Sequence, residues 1–179
     1  MANYTPRLTA DGIYLSKYYY DENPFYLSGY GLPNCTCYAW GRFYETYGIR
    51  PGALPRTDAG TWFDKVVSDG YYRTGSTPEL GAIACYASTI GGDGHLSVVE
   101  SLRVDGSFVV SQSGYYRPIA EYPPDTEDYF WTDVCGPSTN KPAWMTNYVF
   151  QGFIYNPEYT PPVLPRKRKM PVWMYTRRF

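Results

Sequence analysis

Residues 81–113 read GAIACYASTIGGDGHLSVVESLRVDGSFVVSQS, and the periodicity of this stretch decides the fold. GAIACYAS (81–88) is an apolar run of strand length, and GHLSVVESLRV (94–104) alternates imperfectly. Asp105-Gly106 is a two-residue hairpin signal ahead of SFVVSQS (107–113). Short turns of this kind join antiparallel neighbours, not parallel ones. A further strand is expected at YVFQGFIY (148–155), aromatic and β-branched, ending at Asn156-Pro157.

Upstream the period is helical. CTCYAWGRFYETYG (35–48) sets Tyr38, Ala39, Phe43 and Tyr47 along one side, and Gly48 and Pro51 end the helix. A second short helix fits 60–69 (GTWFDKVVSD), closed by Gly70. The first 33 residues are Tyr-rich and broken by Pro24, Gly29, Gly31 and Pro33, so they are expected to wrap the domain as irregular structure. Helices first and antiparallel strands after predict an α+β domain, its helices packed on one side of a small sheet.

Composition sets bounds on function. A chain of 179 residues is one domain's worth, and 16 Lys+Arg against 17 Asp+Glu leave a net charge of −1, which argues against an electrostatic nucleic-acid binder. Aromatic residues make up 19% of the chain, too many for disorder in its bulk. No apolar run approaches the roughly 18 residues of a spanning helix, and no cationic, apolar leader opens the sequence, so neither a membrane span nor a classical export signal is expected. Residues 158–179 (EYTPPVLPRKRKMPVWMYTRRF) differ from the rest, with four prolines and six basic residues against one acid. The division expected is a domain over 1–157 and an extended basic, aromatic arm over 158–179.

Four cysteines, at 35, 37, 85 and 135, are too sparse for a disulfide scaffold. One histidine and no second Cys-x-x-Cys make a four-ligand zinc site hard to assemble. Cys85 and Cys135 read as small buried hydrophobes, and Cys37 as core. Cys35 is different: it follows Pro33-Asn34 at the first turn of the helix, where free backbone N–H groups and the helix dipole are expected to lower a thiol's pKa. His95 follows the turn Gly92-Asp93-Gly94 at the mouth of a strand, a rigid yet reachable place for a general base. A thiol and an imidazole so placed are the minimum apparatus of covalent acyl transfer. Asn34 is a candidate oxyanion donor beside the Cys35 N–H, or a plain helix cap. Tyr71, Tyr72, Tyr115 and Tyr116 read as aromatics beside the site that could stack on a substrate.

Three blocks in register carry a resemblance: Asn34-Cys35-Thr36-Cys37-Tyr38-Ala39, Gly81-Ala82-Ile83-Ala84, and Gly94-His95-Leu96-Ser97-Val98-Val99-Glu100. Across roughly residues 24 to 156 the chain resembles the CHAP family, the cysteine, histidine-dependent amidohydrolases and peptidases on a papain-like α+β fold. The flanking text (DENPFY, GLPNCTCYAWGRFYE, GFIYNP) is similar to CHAP proteins of phages and prophages of Gram-positive bacteria. The resemblance implies bacterial peptidoglycan as substrate, cut at an amide of the peptide by an amidase or endopeptidase. Cys35 would be the nucleophile and His95 the base. The position that commonly holds an acid or Asn to orient the imidazole matches Gln112, whose amide oxygen can accept the imidazole N–H. On this reading Gln112→Glu should raise the rate or leave it unchanged. Glu100 is the rival orienter, but strand alternation points it away from His95. The stretch that holds calcium in some members supplies no carboxylate here, so no metal and no cofactor are expected. An NlpC/P60-type peptidase is disfavoured by Asn34 before Cys35 and by Cys37-Tyr38 after it. Without an export signal, the enzyme would travel in a phage virion tail, or lie in the host cytoplasm before release, and act at the cell wall. The arm would then dock on other tail proteins. The alternative function is a structural tail or plug protein that keeps the fold with little or no turnover.

Overall fold

In the computed structural model, which describes residues 4–13, 16–114 and 130–157, the helix expected from Cys35 runs from Cys35 to Tyr47 as α2. Its start is fixed by Asn34, whose side-chain oxygen accepts the N–H groups of Thr36 at 2.8 Å and Cys37 at 3.0 Å. Its end is fixed by Gly48, which takes φ 74° and passes the chain into the left-handed region where a Cβ is costly. A single turn, α1 (Pro24–Leu27), precedes it, capped by Asn23. The second expected helix is a 3-10 turn (Ala59–Thr61) running into α3 (Trp62–Asp69), closed by Gly70 at φ 69°.

Six strands form one antiparallel sheet: β1 (Thr74–Gly75), β2 (Ile83–Ser88), β3 (His95–Leu102), β4 (Phe108–Ser113), β5 (Phe130–Cys135) and β6 (Tyr148–Ile154). Their order is β1-β6-β2-β3-β4-β5, so β2 and β3 lie at the centre. The Asp105-Gly106 turn joins β3 to β4 as its residues predict, with Gly106 at φ 83°. Two strands, β1 and β5, are not among those expected from the sequence.

Alternation along the central strands divides the core. Ile83, Cys85, Leu96, Val98 and Ile154 face α2, where they meet Tyr38, Ala39, Trp40 and Phe43. Ala84, Tyr86, Val99, Val110 and Phe153 face the other way and are covered by Met145, Trp144 and Tyr148. The helices thus lie on one side of the sheet, as expected, and the connection between β5 and β6 closes the other. The N-terminal wrap is irregular and tied down by Tyr19, which is fully buried, and by Tyr4, whose hydroxyl donates to Glu100 at 2.7 Å. Glu100 faces α2 at a register shift between Val99 and Ser101, and it forms a buried ion pair with Arg42 of α2 at 2.8 Å. The arm over 158–179 lies outside the described residues.

Candidate active site

The head of α2 and the start of β3 bring Cys35 and His95 to one place. The backbone N–H of Leu96, next to His95, points at the Cys35 sulfur, as do those of Cys35 and Thr36. Gly94 seats the start of β3 against Gly60: at φ 78°, a Cβ there would meet Gly60 Cα at 2.5 Å and the Tyr86 carbonyl oxygen at 2.6 Å. Only glycine fits both the angle and the space. Cys35 is half-buried and free, whereas Cys37, Cys85 and Cys135 are free and fully buried, as expected of core cysteines.

The thiol is not the activated thiolate that the helix start alone predicts. Burial pushes the Cys35 thiol up to about 11, and the three N–H groups at the sulfur lower it too little to offset that. Desolvation of a charge outweighs the helix-terminus effect here. Burial also pushes His95 down to about 4, against a smaller upward pull from its bond to Gln112. Between these values the resting pair is a neutral thiol beside a neutral imidazole.

Gln112 stands where the resemblance places the orienter: its Oε1 lies 2.7 Å from His95 Nε2. Glu100 does not compete, being held on the opposite face by Arg42, Tyr4 and Ser111. Asn34 spends its side-chain oxygen on the helix cap, which leaves its amide nitrogen for any oxyanion role. Tyr115 and Tyr116 lie outside the described residues. Tyr72 is not beside the site: it packs edge-on against Phe43, eight residues along α2 from Cys35 and so ~12 Å down the helix axis. Tyr71 is exposed on the same loop.

Other rings surround the imidazole. His95 is stacked between Tyr86 and Trp131, with centroids at 6.5 Å and 6.3 Å, and is flanked edge-on by Trp144 and Tyr148. These rings desolvate the histidine and account for its depressed pKa. A residue the sequence reading did not single out, Asp133 on β5, accepts from Gln112 Nε2 at 2.5 Å, Trp144 Nε1 at 2.8 Å and Trp131 Nε1 at 2.9 Å. The aromatic and β-branched content of FWTDVC (130–135), ended by Gly136-Pro137, was the available signal for that strand. Among the described residues no group of three or more His, Cys, Asp or Glu could hold a metal ion.

The probable autolysin SsaALP of Staphylococcus aureus (strain NCTC 8325 / PS 47) is 33% identical over 90 residues, which are 50% of this chain and 32% of that protein. The chain thus covers about a third of that relative's length. A crystal structure of an N-acetylmuramoyl-L-alanine amidase from Staphylococcus aureus overlaps with a TM-score of 0.44 at 22% identity, over 67% of this chain and 30% of that one. The family model described as the CHAP domain matches residues 25–114, a span that opens in α1, contains Cys35, His95 and Gln112, and closes just past β4. Half of the chain lies in that match, and the chain belongs to the CHAP family.

Proposed function

We propose that this chain is a peptidoglycan hydrolase that cuts an amide bond of the wall peptide through an acyl-enzyme on Cys35. The observation that carries the reading is the convergence at the head of α2: the Cys35 sulfur receives the Leu96 N–H, while the adjacent His95 is held through Nε2 by Gln112. With Nε2 engaged, Nδ1 is the nitrogen left to serve as base.

Because thiol and imidazole rest neutral, the proton moves as the bond forms. His95 Nδ1 takes the thiol proton while Sγ attacks the amide carbon, and the carbonyl oxygen becomes an oxyanion near the Cys35 N–H and the Asn34 amide nitrogen. The C–N bond then breaks, and the imidazolium gives its proton to the leaving amine. Water, deprotonated by the same nitrogen, cleaves the thioester and restores the thiol. Membership of the CHAP family supports this chemistry, and the choice between amidase and endopeptidase lies in groove shape rather than in the Cys–His pair.

The place of action proposed is the bacterial cell wall. Carriage in a phage virion tail, with the arm at 158–179 as the docking element, belongs to the same proposal and rests on the sequence resemblance. The competing reading, a structural plug without turnover, drew on the absence of an acid at Gln112, and Asp133 behind that amide weakens it.

Mass spectrometry of fragments released from purified peptidoglycan tests the proposal. Wild type should release fragments carrying a new amino terminus or a freed lactyl group. Cys35→Ala should release none, and Cys37→Ala should match wild type. Equal release by the Cys35 variant would end the nucleophile assignment, and no release by wild type would favour the plug.

A further inference from the structure

We infer that Asp133 is a positioning residue for this hydrolysis, acting through Gln112 to set which imidazole nitrogen of His95 carries the proton. The inference rests on the reading of Cys35 and His95 as nucleophile and base. Its ground is the direction of each hydrogen bond. Three N–H groups converge on one oxygen of Asp133: Gln112 Nε2 at 2.5 Å, Trp144 Nε1 at 2.8 Å and Trp131 Nε1 at 2.9 Å. An indole N–H can only donate, and an ionised carboxylate can only accept. The nitrogen end of the Gln112 amide must therefore face Asp133.

That choice fixes the other end. Oε1 of Gln112 lies 2.7 Å from His95 Nε2, and an amide oxygen can only accept. Nε2 must carry the hydrogen, so in the neutral ring Nδ1 holds the lone pair that takes the thiol proton. A glutamine without Asp133 is free to turn over and present its NH₂ to Nε2. The hydrogen would then sit on Nδ1, and the base would be lost. Asp133 need not touch the substrate. It supplies the polarity that a carboxylate at position 112 would supply directly.

The inference reverses the expectation for Gln112→Glu. With Asp133 in place, the new carboxylate would face another across 2.5 Å, and the two must share a proton or repel. Gln112→Glu alone should therefore lower kcat at least ~10-fold and introduce a new titration into the pH profile. In an Asp133→Leu background the same change should restore activity, because a carboxylate has no wrong end. Asp133→Leu alone should lower kcat by ~10²-fold or more with KM little changed, the sign of a wrong tautomer. Asp133→Asn, which can keep its oxygen toward the three donors, should retain most activity.

The chain has a single histidine, so ¹⁵N NMR of the imidazole reads the tautomer without assignment. Wild type should show Nε2 protonated and Nδ1 bare, and Asp133→Leu a mixture or the reverse. An unchanged tautomer and rate in folded Asp133→Leu would overturn the inference. Should that variant not fold, a Gln112→Glu protein as active as wild type would overturn it equally. A tautomer that follows Asp133 in a protein that never cleaves peptidoglycan would uphold the positioning and defeat the hydrolase reading.

Discussion

The sheet holds a carboxylate on each face, Glu100 fully buried and Asp133 half-buried, and the two have opposite surroundings. Glu100, on the helix side, is met by a cation: Arg42 reaches both of its oxygens, at 2.9 Å and 2.8 Å. Tyr4, Ser111 and the Arg7 N–H add further donors, so Glu100 joins the N-terminal wrap, α2, β3 and β4 at one point. Asp133, on the other side, is met among the described residues only by uncharged donors, two indoles and one amide. A carboxylate compensated by a buried cation holds segments together, and its directionality leads to nothing that reacts. One compensated by an amide whose far end touches His95 passes direction to a reacting group. The difference predicts that Glu100 matters to stability and Asp133 to turnover.

Breaking the Glu100 site gives the larger effect on folding. Glu100→Ala leaves a buried guanidinium without its partner and should cost about 3–5 kcal/mol, read as a lower denaturant midpoint. The fraction that folds should keep a kcat close to wild type. Asp133→Leu should do the reverse in kind, with kcat lowered by ~10²-fold or more and a much smaller change in midpoint. A Glu100 variant of normal stability, or one folded yet inactive, would break the contrast.

The surroundings of His95 give a second handle, through pH. Its folded pKa of about 4 lies below the ordinary value of 6.5, so the unfolded chain binds the extra proton first as pH falls. The stability held by the neutral imidazole is present in full above 6.5 and drains away between 6.5 and about 4, by about 3 kcal/mol in all. Chemical denaturation at stepped pH should show this slope in wild type and lose it in His95→Gln. The same slope in both proteins would mean that carboxylates, not His95, control the acid limb.

How far the sequence foretold this is uneven, for physical reasons. The helix from Cys35, the hairpin at Asp105-Gly106 and the strand from His95 were legible because caps, turn residues and alternation are local signals. The family blocks pointed to Cys35 and His95 for the same reason: each sits at the start of an element, Cys35 of α2 and His95 of β3. Asp133 was hidden because nothing local marks it. Its role comes from β5 pairing with β4 in the register Gln112↔Trp131 and Val110↔Asp133, and pairing across a long connection leaves no trace in the period of either strand. The thiol pKa departs from the expectation because helix-terminus amides can be read from a sequence, while the burial of the sulfur in the folded chain cannot.

That departure makes the smallest and most direct prediction. If Cys35 rests as a thiol with a pKa of about 11, alkylation by iodoacetamide should climb ~10-fold per pH unit from 7 toward 10, without a plateau near neutrality. Cys35 should still label before the others, since Cys37 and Cys135 are pushed up to about 12 and are fully buried. A plateau near pH 7 would instead reveal a thiolate paired with imidazolium. Asp93, exposed on the turn before His95, is one of the charges that raise the thiol. Asp93→Asn should shift the labelling curve to lower pH and speed alkylation at a fixed pH by no more than ~5-fold, the reach of a solvent-screened charge. A larger shift would mean that this turn, not burial, governs the sulfur.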